Sequence, residues 1–208
     1  MKIDYLVFPA AIAALMLVAC ENPADKTTKA KVGDSVAKTT DTADGTKYTF
    51  TSASNVGFTG SKVTGHHDGG FKGVTGYFTV KNGVPVGNDH KVTIDMKTIF
   101  TDTEKLTGHL QSADFFDVEK FPQSTFDVTE IKKDSDTKYT VAGNFTIHGV
   151  TKNLSFPATV SQTGDTVKIA SEFNINRKDF GIVYGGKTDD LIRDEVVIRL
   201  DLEAKPGA

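Results

Sequence analysis

The sequence predicts an all-β protein in which about eight or nine antiparallel strands close into a barrel or stack as a sandwich. Three observations carry that expectation. Apolar and polar residues alternate in long runs from Thr46 onward, turn signals separate the runs, and the composition is rich in Phe (14) and Gly (19) with no Trp. With 38% hydrophobic residues in 208, the chain can bury one real core.

The runs justify the strands one by one. Tyr48 and Phe50 share a face, as do Val56 and Phe58, and then Val74, Gly76, Phe78 and Val80. Val92, Ile94 and Met96 follow, with Tyr139, Val141, Gly143, Phe145 and Ile147 later, and Leu154, Phe156, Ala158 and Val160 after them. Val167, Ile169, Phe173 and Ile175 form the next run, and Val196, Ile198, Leu200 and Leu202 the last. Period two with Thr, Ser, Lys, Asp or Glu opposite is the signature of a half-buried strand. Lys81-Asn82-Gly83, Gly87-Asn88-Asp89, Asp134 to Asp136 and Gly164-Asp165 mark turns. One interruption reads as helical. Thr101-Asp102-Thr103-Glu104 has the form of a capping box, and Leu106 and Leu110 then share a helical face with His109 beside them. With the aromatic connection from Asp114 to Pro122, this excursion could plug or lid one end of a barrel.

The N-terminus has a different character. An apolar run from Leu6 to Ala19 is too short to span a bilayer and matches the h-region of a secretory signal. Its end, Leu17-Val18-Ala19-Cys20, resembles the lipobox of bacterial lipoproteins, which implies lipidation of Cys20 and anchoring by several acyl chains. Residues 1–19 are therefore expected to be a signal peptide. Residues 20–45, poor in large apolar side chains, are expected to be a flexible tether, and 46–208 the barrel domain. Glu21 after the cysteine, where Asp would favour inner-membrane retention, points to the periplasmic face of the outer membrane in a bacterial cell envelope.

Several classes of function find no support. A net charge of −3, unchanged by loss of Lys2 and Asp4, argues against a nucleic-acid partner. Cys20 is the single cysteine, so no disulfide or thiolate metal site is expected. His66 and His67 would face opposite sides of a strand, and His90, His109 and His148 lack paired spacing, so no metal site is expected either. With no GxSxG elbow, phosphate loop or Cys nucleophile, the chain does not read as an enzyme.

The strings Lys62 to Phe71 (KVTGHHDGGF), Lys105 to Val118 (KLTGHLQSADFFDV), Phe121-Pro122, Gly143 to Lys152 (GNFTIHGVTK) and Asn176 to Gly181 (NRKDFG) together resemble the YceI-like family. The resemblance implies a lipocalin-like barrel of about eight strands that holds a long isoprenoid lipid, of polyprenyl phosphate or quinone type, in an elongated apolar cavity. No cofactor is implied beyond that lipid, and the role would be storage, transport or stress protection. The lipobox and tether depart from the plain secreted form of the family. Phe58, Phe78, Ile94, Val141, Phe145, Ile147, Phe156, Phe173 and Leu200 are the candidate lining. Lys62, His67 and Arg177 are the candidate head-group contacts. Each has a plainer alternative: the rings simply fill the core, Arg177 pairs with Asp179 or Asp194, and Lys62 sits in solvent. A filled barrel would suit a second function, a non-enzymatic module docking an envelope or redox membrane protein, with a homodimer as a further option.

Overall fold

A computed structural model describes residues 22–38, 41–188 and 190–207. Cys20 and the signal segment lie outside the described residues. The strands in chain order are β1 (Thr46–Phe50), β2 (Asn55–Lys62), β3 (Gly65–Phe71), β4 (Val74–Lys81) and β5 (Lys91–Asp95). After α1 (Glu104–Gln111) come β6 (Gln123–Lys133), β7 (Lys138–Ile147), β8 (Val150–Thr163), β9 (Thr166–Asn176) and β10 (Asp190–Pro206). Eight of them close a ring in the order β1-β4-β5-β6-β7-β8-β9-β10, each pair antiparallel, with β10 returning to β1. The β2–β3 hairpin extends the wall beyond β1, pairing with β10 from Ile192 to Asp201. The fold is the all-β barrel with one short helix that the alternation and the family resemblance imply.

Chain direction gives the barrel two distinct ends. The hairpin turns at Asn82-Gly83, Asp134–Asp136 and Gly164-Asp165 lie at one, the turn end. Asn82 (φ 54°) and Gly83 (φ 77°) form the left-handed two-residue turn that matches strand twist. The opposite, helix end carries α1, the 3-10 turn Arg177–Phe180 and the β2–β3 turn. The main apolar cluster spans the interior from Phe71 and Leu110 to Phe173 and Leu202, and a smaller one at the turn end gathers Tyr48, Phe78, Val167 and Ala204.

Two strands are not announced by the alternation. In β6, Phe126 and Val128 point inward, but a bulge between Val128 and Glu130 shifts the parity so that Ile131 points inward next. One extra residue destroys period two in a sequence window while leaving the strand intact. In β3, Gly69 and Gly70 replace the apolar residues that would mark it. A Cβ on Gly69 would lie 2.5 Å from the Phe58 ring and the Phe100 carbonyl, so the position admits only glycine.

The helix start also differs. The N-cap is Thr103, whose side chain makes no capping bond, so the expected Thr101–Glu104 box is not formed. Instead the Thr101 hydroxyl donates to the Thr103 carbonyl at 2.7 Å, and the Thr101 amide donates to Thr107 Oγ1 at 3.0 Å.

The expected tether is corrected over its described N-terminal half. Asn22 and Ala24 are buried at a short 3-10 turn, Pro23–Lys26, after which Thr28–Lys29 runs parallel to β9 and Lys31–Asp34 antiparallel to β8. The physical reason lies in β8. Direct β8–β9 pairing stops at Thr159 and Ala170, and toward the helix end the two strands separate. Pro157 sits at the split with its carbonyl turned to Ser171 of β9, so the amide it lacks is one that β9 would have needed. The N-terminal segment fills the gap as a wedge, with Ala30 buried in the core and its amide bonded to the Asn174 carbonyl at 2.9 Å. Low apolar content underestimated the segment because a strand filling a gap gains a ladder on both sides.

Candidate functional site

Every strand contributes alternate residues to the barrel interior, and they do not fill it. A cavity of about 820 Å³ runs from Tyr77, Pro85 and Thr137 at the turn end to Lys62, His109 and Arg177 at the helix end. That volume lies in the upper range of small-molecule sites, whereas a packed core leaves no void of even methyl size. The filled-barrel alternative is therefore not the observed arrangement. An eight-stranded barrel is at the width where the size of its inward side chains decides between the two.

All nine candidate lining residues face the cavity. Phe58, Phe78, Ile94, Ile147, Phe156 and Phe173 are buried, and Val141, Phe145 and Leu200 are half-buried on the same wall. Phe156 stacks on Phe173 with centroids 4.3 Å apart and meets Phe126 at 5.5 Å. Such ring contacts hold the wall side chains in place, so the void is framed by ordered groups. Gly60 contributes differently. It lies on the inward face beside His67, and a Cβ there would meet nothing within 4 Å.

The candidate lining left out a second group at the helix end, part of it on the helical excursion expected to plug or lid the barrel and part, at residues 180–184, not expected at all. Leu106, Leu110, Phe115 and Phe116 close it from α1 and the following turn, while Phe180, Ile182 and Tyr184 close it from the 3-10 segment. His109 is edge-on to both Phe115 (5.1 Å) and Tyr184 (5.0 Å), tying these two coverings together. The aromatic pair Phe115-Phe116 was a visible signal. Ile182 and Tyr184 sit in irregular backbone, where no periodicity reports direction.

The three head-group candidates gather at this end but differ in what they can offer. Arg177 is buried, and its guanidinium donates to Ile182 O at 2.7 Å, Arg193 O at 3.1 Å, Ile192 O at 3.5 Å and Asp194 Oδ1 at 3.2 Å. With four of five donors engaged, it staples the 177–194 loop and leaves at most one N–H for a ligand. Burial pushes its basicity below the usual arginine range, against the pull of Asp194. His67 Nδ1 lies 3.0 Å from Asp102 Oδ1. Lys62 is half-buried on the cavity wall opposite Ile192. His66 points outward, as adjacent strand positions require, and among the described residues no three His, Cys, Asp or Glu side chains gather as a metal site.

At the turn end, His90 is 2% exposed. Its Nδ1 accepts from the Thr79 amide at 3.1 Å, which leaves Nε2–H to donate to Gly87 O at 3.0 Å. Burial lowers its pKa, against the Gly87 bond, so the imidazole is a neutral structural bridge across the β4–β5 connection.

The barrel matches a known group of proteins. The family model for the YceI-like domain covers residues 48–204. The chain belongs to the YceI-like family. Protein YceI of Salmonella arizonae is 36% identical over 120 residues, which is 55% of this chain and 62% of that protein, so the chain spans under two thirds of its curated relatives' length. BcnA of Burkholderia cenocepacia superposes with a TM-score of 0.67 at 25% identity, over 75% of this chain and 99% of BcnA. A polyisoprenoid-binding domain from Saccharophagus degradans superposes with a TM-score of 0.64 over 77% of this chain and 98% of that domain. At 16% identity, that second likeness speaks for the YceI-like barrel alone.

Proposed function

We propose that this protein is an envelope lipoprotein, anchored through Cys20 on the periplasmic face of the outer membrane, that binds a long-chain isoprenoid lipid of polyprenyl phosphate or quinone type. The hollow, ring-framed cavity of about 820 Å³ carries the reading. An apolar tail gains about 25 cal/mol for each Å² it buries, so affinity rises with tail length until the cavity is full. Lys62 and His67 are the groups at the helix end placed to meet a polar head, whereas Arg177 shapes the loop around it. A polyisoprenoid-binding domain among the structural neighbours supports the same ligand class. The role is one of binding for storage, transport or protection.

Gly60→Phe tests this reading cleanly. A Cβ at that site meets nothing within 4 Å and directs the side chain into the cavity, and replacing a strand glycine removes an entropic penalty. Native mass spectrometry of the parent should show a copurified hydrophobic molecule. The variant should keep or raise the parental melting temperature while losing roughly tenfold or more in isoprenoid affinity. Unchanged affinity for long and short isoprenoids alike would refute the cavity as the binding site.

A further inference from the structure

Among the described residues, six large apolar side chains are exposed, and three of them stand together at one end of the barrel. Val63 (56% exposed), Val183 (67%) and Leu191 (54%) lie on the helix-end rim. Each is the immediate neighbour of a cavity-lining residue: Val63 follows Lys62, Leu191 precedes Ile192, and Val183 lies between Ile182 and Tyr184. The Val63 amide donates to Leu191 O at 3.2 Å, so two of the three are also joined across the rim. Lys187 is exposed beside them on a short strand in which Gly186 pairs with Leu191.

The N-terminal wedge leads to the same place. Ser61 Oγ donates to Asn22 Oδ1 at 3.3 Å, so Asn22 is held one residue from Lys62. Asn174 secures the next residues through bonds to Ala24 O at 3.1 Å and Thr27 O at 3.2 Å. Cys20 is two residues from Asn22, a chain reach of about 7 Å. The segment that was expected to separate anchor from barrel instead begins, at Asn22, beside the cavity mouth.

We propose that the helix-end rim is a bilayer-docking surface: Val63, Val183 and Leu191 enter the acyl–headgroup boundary of the membrane holding the Cys20 anchor. The cavity mouth then opens onto the lipid phase. Apolar tips around the mouth of an apolar cavity suit the acyl–headgroup boundary, and the charges beside them, Lys187 paired in register with Asp190, give no net attraction to an anionic surface, so the apolar contact carries the docking. A lipid moving from bilayer to barrel by this route keeps its tail out of water throughout, which removes the largest barrier to transfer. The proposal rests on the isoprenoid-binding reading for its purpose, but not for its geometry.

The absence of Trp makes the test direct, because each introduced Trp is the sole indole emitter. Val63→Trp, Val183→Trp and Leu191→Trp are made singly in the full chain, with Val84→Trp at the turn end as the control. Each protein is reconstituted into phosphatidylethanolamine–phosphatidylglycerol vesicles brominated in their acyl chains. Docking predicts strong quenching and a blue shift at the three rim positions and none at position 84. Quenching at all four positions, or at none, would overturn it. Isoprenoid uptake is measured on the same samples by mass spectrometry. Uptake with an unquenched rim overturns docking and leaves the binding reading intact. A quenched rim without uptake supports docking and removes the cargo proposed for it.

Discussion

His90 shows how one buried side chain makes stability depend on pH. Its Nδ1 accepts a backbone N–H, so adding a proton there sets two donors against each other, in a site where burial already lowers the pKa. In the unfolded chain the imidazole titrates normally, near 6.5. Between the depressed folded value and that one, the unfolded state binds more protons, so stability falls as pH drops below about 6.5. The thermal midpoint should decline from about pH 7.5 to pH 5.5, and His90→Gln, which keeps an acceptor and a donor without titrating in this range, should flatten the decline. An equally steep decline in the variant would assign the effect to other groups. Asp68 adds an acid-side contribution on the outer wall. Its carboxylate is held low first by the Thr59 hydroxyl and then by Arg199, which donates to it at 2.9 Å, against partial burial. That contribution is present above the ordinary carboxylate range and is lost as pH falls through the lowered value.

The wedge is the element on which the barrel wall depends. Lys31–Asp34 and Thr28–Lys29 supply the ladder that β8 and β9 do not make with each other near the helix end. Ala30, 4% exposed, seals the core behind them. Ala30→Glu should expel the wedge, because an unpaired carboxylate cannot stay in that site. Amide exchange at Lys152–Ser155 and Phe173–Asn174 should then rise by roughly tenfold or more while the β1–β4 ladder keeps its protection. Unchanged exchange at β8 and β9 would mean that the wedge is not part of the wall. Pro157 was the legible sign of this seam, since proline inside an alternating run belongs at an unpaired edge. What fills the seam was not legible, because the wedge is polar and gains its place from β8 and β9, not from its own periodicity.

At the scale of the molecule, the wedge leads from the barrel wall to the cavity mouth, and removing the proposed anchor at Cys20 separates its contribution from theirs. Cys20→Ser should move the protein from the membrane to the soluble envelope fraction, since three apolar rim contacts alone give only marginal, reversible binding. The melting temperature should stay at the parental value, because the wedge begins at Asn22 and its bonds are untouched. A variant that stays membrane-bound after a high-salt wash would refute lipidation as the anchor.

The sequence by itself determined the strand-by-strand alternation, the apolar identity of the inner face and the covering helix with Leu106 and Leu110. Those follow from local rules: a period of two sorts side chains between faces wherever the strand sits. It also placed the nine candidate lining residues on the apolar face, because alternate residues of a strand share one face, but not the lining that α1 and residues 180–184 add at the helix end. Only the tertiary structure decided that the barrel is hollow, that Arg177 spends its donors on its own loop, and that residues 22–34 are wall and not tether. Alternation reports that a face is hidden from water but not what hides it. An interior of about 820 Å³ arises from closure of eight strands around side chains that stop short of one another, and no single strand carries that information.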